Sequence, residues 1–148
     1  MVKEDAGMSV PFAATALDGL DDFETWSAEC LLPAVGSSVA TARSLVRREL
    51  TGQGCAAFLD DCQLIVSELV TNAVRHAGTA FALRLRGTTE WVYGEVYDTG
   101  GMPPRPRDPR PESTDGRGLM IVAALAASWG YAPGVCGGKI VWFVLGDS

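Results

Sequence analysis

Residues 57–77 read AFLDDCQLIVSELVTNAVRHA. Leu59, Cys62, Ile65, Val66, Leu69, Ala73 and Ala77 recur at intervals of three and four, the period that lines apolar side chains along one side of an α-helix. Gly78 follows directly and suits the left-handed backbone that terminates a helix. The spacing therefore predicts a helix from about Ala57 to Ala77. Glu68, Asn72 and His76 are spaced by four and stand one above another beside the apolar stripe. A carboxylate one turn from a carboxamide suits a divalent cation, because hard ions such as Mg2+ take oxygen ligands and keep several waters. The same row also reads as the solvated face of an amphipathic helix.

Upstream, Phe23 to Leu32 carries aromatic and apolar residues consistent with a strand, stopped by Pro33. Ser37 or Ser38 is placed to cap a helix with the stripe Val39, Ala42, Leu45, Val46 and Leu50, ended by Gly52 and Gly54. Residues 1–22 lack periodicity and read as a flexible N-terminal tail, leaving 23–148 as one domain. Downstream, Phe81 to Arg86 and Trp91 to Asp98 read as two strands with a turn short enough for a hairpin. Between Thr99 and Thr114 lie five of the eight prolines, interleaved with Arg105, Arg107 and Arg110, so this stretch is neither helix nor central strand. A loop of that length in a small domain is functional or disordered. A third helix is expected from about Gly116 to Trp129, and a last strand from Lys139 to Leu145. These elements predict an α/β two-layer sandwich: a mixed, mostly antiparallel sheet with helices on one face.

At 148 residues, 47% hydrophobic and 20% charged, the chain suits one packed domain. The net charge of −6 repels a phosphate backbone, which argues against direct nucleic-acid binding and leaves any anion site to local groups. Cys30, Cys55, Cys62 and Cys136 form no C-x-x-C pair and His76 is the single histidine, so a zinc site is not expected and the thiols read as free and buried. No apolar run reaches the length of a membrane span, and the N-terminus lacks the order of a secretory signal. The expectation is a cytoplasmic protein with no membrane contact.

Two further stretches carry possible chemistry. Asp98-Thr99-Gly100-Gly101 follows a strand directly. Glycines there let a ligand approach the backbone, and the carboxylate is an acceptor for an exocyclic amine. An ordinary Asp-x-Gly turn explains it equally. Asp115-Gly116-Arg117-Gly118-Leu119 opens the third helix, where N–H groups and the helix dipole favour an anion and Arg117 adds a charge-assisted contact. A flexible helix entry is the plainer alternative.

Taken in order, the three stretches resemble the ATP-binding domain shared by gyrase, Hsp90, sensor histidine kinases and mismatch-repair proteins, the GHKL superfamily with its Bergerat-type fold. SELVTNAVRHA is similar to its N-box, VYDTGG to its first glycine box and DGRGLMIV to its second. The closing SWGYAPGVCGGKIVWFVL resembles the small stand-alone bacterial anti-sigma-factor serine/threonine kinases. The likeness runs from Phe23 to Leu145.

The resemblance implies ATP and Mg2+ as cofactors. Asn72 would hold the metal against the phosphates, and Glu68 would be the catalytic base for an incoming serine hydroxyl. Asp98 would read the adenine amine, with Gly100 making room for the ring. Gly116, Arg117, Gly118 and Leu119 would fold around the phosphates, Arg75 and His76 would flank the pocket, and the Pro/Arg segment would be a lid. It further implies a sigma factor and an anti-anti-sigma protein as partners, and a homodimer. Two positions depart from the family pattern. Met102 stands where many members carry a second glycine, and Ile140 aligns with a last-strand Thr that joins a water network at adenine. These departures leave open a non-catalytic, nucleotide-gated or nucleotide-free binding module. A detached histidine-kinase catalytic domain is a third reading.

Overall fold

The computed structural model describes residues 25–76, 78–98, 114–134 and 138–146, with side chains throughout except at 114–118. The elements run β1 (Trp26–Leu32), α1 (Ser37–Gly52), a 3-10 turn (Ala56–Phe58), α2 (Leu59–His76), β2 (Phe81–Gly87), β3 (Trp91–Asp98), α3 (Thr114–Leu125), β4 (Ser128–Pro133) and β5 (Lys139–Gly146). The five strands form one sheet in the order β1-β2-β3-β5-β4. Every pairing is antiparallel, so the mixed sheet expected from sequence has no parallel pair among the described residues.

The strand registers place one apolar set on one side. Trp26, Cys30, Leu32, Phe81, Leu83, Leu85, Val92, Val96, Phe143 and Leu145 share a core with Leu45, Val46 and Leu50 of α1, Ile65, Val66 and Leu69 of α2, and Val122 of α3. All three helices therefore cover the same face. Alternation sends the other residues of β3, β4 and β5 to the far side, where Tyr93, Ala132 and Trp142 are buried with Trp91, Ile140 and Val144 packed around them.

Local signals account for most boundaries. Gly78 adopts φ 74° just beyond α2, as its helix-stopping role requires. The β2–β3 hairpin closes with Thr88 N–H donating to Trp91 O at 3.0 Å. Two expectations are corrected. Neither Ser37 nor Ser38 caps α1: Gly36 occupies the cap without a side-chain bond, and the buried Ser38 hydroxyl donates to Pro33 O at 2.7 Å, tying the helix to the end of β1. The third helix stops at Leu125 rather than Trp129, because Ser128–Pro133 pairs with β5 as a full strand. The expected N-terminal tail and the Pro/Arg loop from Thr99 to residue 113 lie outside the described residues.

Candidate functional site

A cleft opens between α2 and α3 above the sheet, lined by Leu69, Asn72, Ala73 and His76 of α2, Leu119 of α3, Val96 and Asp98 of β3, Tyr131 of β4, and Lys139 and Val141 of β5. It encloses about 590 Å³ including its open mouth. The α2 contribution is the stripe 69, 72, 73, 76, one helical face seen from below. The strand contributions all come from the helix-facing side of the ladder, because Val96 pairs with Val141, Asp98 with Lys139, and Tyr131 with Val141.

The polar groups sit on an apolar bed of Leu69, Ala73, Val96, Leu119 and Val141. Asp98 is half-buried, and its Oδ1 is buried without a hydrogen-bond partner. A buried acceptor left unsatisfied costs roughly 1–3 kcal/mol. That oxygen belongs to a residue that lines the cleft. Asn72 is also half-buried in the wall. Among the described residues no group of His, Cys, Asp and Glu could hold a metal unaided. The donor offered at Asn72 is thus a neutral carboxamide oxygen. That fits Mg2+, which keeps waters and takes the rest of its shell from substrate phosphates.

Of the residues singled out from sequence, Asn72, His76, Asp98 and Leu119 are brought together on the cleft. Glu68 lies one turn earlier on α2, half-buried and outside the lining. Arg75 is exposed and also outside it. Gly116, Arg117 and Gly118 fall within the first turns of α3, as their place at the opening of the third helix predicts. Gly100 and Met102 lie outside the described residues. Ile140 is corrected: it faces away from the cleft and packs with Tyr93 and Trp142, so it removes no polar contact from the site. The cleft-side positions of β5 are Lys139 and Val141.

Tyr131 and Lys139 were not anticipated. Tyr131 was hidden because the apolar run through Leu125 and Trp129 extends the helical pattern into β4. Lys139 carried a readable signal: alternation back from Phe143 through Val141 puts it on the inward face. Its register opposite Asp98 is not visible in one sequence.

The α2 wall is held in place by polar ties to α1. Buried Gln63 donates Nε2 to Arg43 O at 3.0 Å, and Arg43 donates to Ser67 Oγ at 2.7 Å. Ser67 precedes Glu68, so these bonds fix the turn that carries the carboxylate.

The chain belongs to the histidine kinase-like ATPase domain family, whose model matches residues 32–145. Among solved structures it is similar to the crystal structure of the RsbU and RsbW domains of Rv1364c from Mycobacterium tuberculosis. That likeness has a TM-score of 0.62 at 20% identity, covering 81% of this chain and 32% of that one. The chain thus spans about a third of that structure's length, and the likeness shows the fold. No curated protein matches the chain in sequence. No described helix is long and apolar enough to cross a membrane.

Proposed function

We propose that the chain is an ATP-binding regulator of the anti-sigma-factor type, acting as a serine/threonine protein kinase. The observation that carries this reading is the orphaned Asp98 Oδ1, buried in a cleft that Asn72 also lines. A buried carboxylate oxygen with no donor calls for an amine, and the exocyclic amine of adenine supplies one. With the base at Asp98, the phosphates extend along α2 toward Asn72 and the start of α3, where N–H groups favour anions. Asn72 would hold Mg2+, which neutralises phosphate charge when bound.

Glu68, one turn before Asn72, is the group for accepting the proton of a serine hydroxyl. The serine oxygen bonds to the γ-phosphorus, the bond to the β–γ bridging oxygen breaks, and ADP leaves with that electron pair. The resemblance to stand-alone anti-sigma-factor kinases supplies the partners. A sigma factor would be sequestered, an anti-anti-sigma protein would receive the phosphate, and the working form would be a cytoplasmic homodimer. The net charge of −6 favours protein partners over nucleic acid.

Incubation of the protein with labelled MgATP and an anti-anti-sigma partner tests the reading. Phosphoserine on the partner, lost in Glu68→Gln, is expected. Glu68 standing outside the cleft lining favours a second reading, a nucleotide-gated binding module without transfer. Calorimetric binding of MgATP with no phosphoserine would establish that module and remove the kinase.

A further inference from the structure

Lys139 and Asp98 are direct register partners across the β3–β5 ladder, and both line the cleft. Directly opposed residues of an antiparallel pair hold their Cβ atoms about 4.5–5.5 Å apart. Asp98 offers an acceptor with one buried, unpartnered oxygen, whereas Lys139 is exposed and carries only donors. The ladder thus fixes an acceptor beside a donor at one end of the cleft.

We infer that Lys139 is a base-selecting residue: its ammonium donates to the ring nitrogen flanking the adenine amine that Asp98 accepts. This rests on the reading that a purine nucleotide enters with its base at Asp98. Adenine presents an amine donor next to a ring-nitrogen acceptor, matching the acceptor–donor pair in order. Guanine and hypoxanthine present a carbonyl oxygen where adenine has its amine. That sets two acceptors, one of them anionic, against each other at Asp98 and leaves Asp98 unsatisfied. A site built for a hydrogen-bonding edge rejects the ligand lacking it, because its own polar groups are then unpaired. Lys139 adds the second point that turns single-amine recognition into recognition of an ordered pair.

The test is a matrix of nucleotide affinities by calorimetry with Mg2+ present. Wild type, Lys139→Met and Lys139→Arg are titrated with ATP, ITP, 1-deaza-ATP, 7-deaza-ATP and inorganic tripolyphosphate. The exposure of Lys139 makes both variants compatible with the fold, checked by far-UV circular dichroism. Lys139→Met is expected to weaken ATP by about threefold to tenfold, the range for a charge-assisted bond discounted for solvent. One of the two deaza analogues is expected to bind wild type more weakly than ATP does, and to lose that penalty in Lys139→Met. Lys139→Arg restores it. If neither penalty depends on Lys139, the inference is overturned. It is equally overturned if Lys139→Met weakens ATP, ITP and tripolyphosphate alike, since Lys139 then only attracts phosphate. Wild type binding none of the nucleotides would instead remove the nucleotide-site reading itself, a distinct result.

Discussion

Tyr93 donates its hydroxyl to Glu95 Oε1 at 2.6 Å, on the sheet face turned away from the helices. Both side chains are buried, and the second Glu95 oxygen accepts from Arg84 at 3.0 Å. Arg84 also reaches Glu29 at 3.4 Å on edge strand β1, so one guanidinium ties three neighbouring strands through their side chains. Burial, and then the nearby Glu95 carboxylate, push the Tyr93 phenol above its ordinary value. Tyr93→Phe leaves a buried carboxylate oxygen without its donor. Bonds to charged groups contribute about 1.5–3 kcal/mol, so a loss of that size is expected in urea unfolding, with the slope m unchanged.

Asp98 presents the opposite case, a cost that the proposed nucleotide site would offset. Its Oδ1 has no partner in the ligand-free fold. Asp98→Asn should therefore melt at the same temperature as wild type or higher without nucleotide. The same variant should lose the thermal shift that MgATP produces. A ligand at a hundredfold its Kd stabilises by about 2.7 kcal/mol, so the lost shift is readily measured. A variant destabilised without ligand but still shifted by MgATP would show Asp98 to be structural.

Tyr131 offers an aromatic ring on the cleft wall from β4. Base–aromatic stacking is worth roughly 1–3 kcal/mol on alanine substitution. Tyr131→Ala is expected to weaken MgATP by about tenfold in equilibrium titration, and to weaken tripolyphosphate little. Equal weakening of both would place the ring away from the base.

How much of this was legible in sequence follows from the range of each signal. The stripe of α2 and the alternation of β2 are local periodicities, so Ile65, Leu69, Leu83 and Leu85 could be assigned to the core from spacing. The four-residue spacing placed Asn72 and His76 on one wall for the same reason. Trp129 was misread because an apolar run of mixed spacing fits a helix end as well as an edge strand. Strand β4 is defined by pairing with β5, a long-range fact. Lys139 opposite Asp98 is likewise a matter of register between strands far apart in sequence. Ile140 could be aligned to a family position, but its side of the sheet is decided only by which neighbour in β5 faces the helices.

Gly94 is a packing constraint below the cleft. A Cβ there would lie 2.4 Å from a Phe143 ring carbon and 3.2 Å from a Leu85 methyl. Phe143 is fully buried in the core, so the ring has little freedom to retreat. Gly94→Ala is expected to cost about 1–3 kcal/mol through overpacking. Denaturation midpoints check this, and the paired variant Gly94→Ala/Phe143→Leu should recover part of the loss.

Cys62 gives the fold a dependence on alkaline pH. Its thiol is fully buried on α2, and burial, reinforced by Cys55 and Asp61, pushes it up to about 12 from an ordinary 9.0. Because the folded value is raised, the stabilisation is complete below about 9 and declines as pH climbs toward 12, where the unfolded thiol ionises and the folded one resists. The slope from this group alone approaches 1.4 kcal/mol per pH unit at about 298 K. Cys62→Ala lowers stability at every pH by removing core volume, yet its decline above pH 9 should be shallower than that of wild type. Parallel decline of the two proteins in unfolding free energy above pH 9 would assign the alkaline loss to other groups, such as the raised Tyr93 phenol.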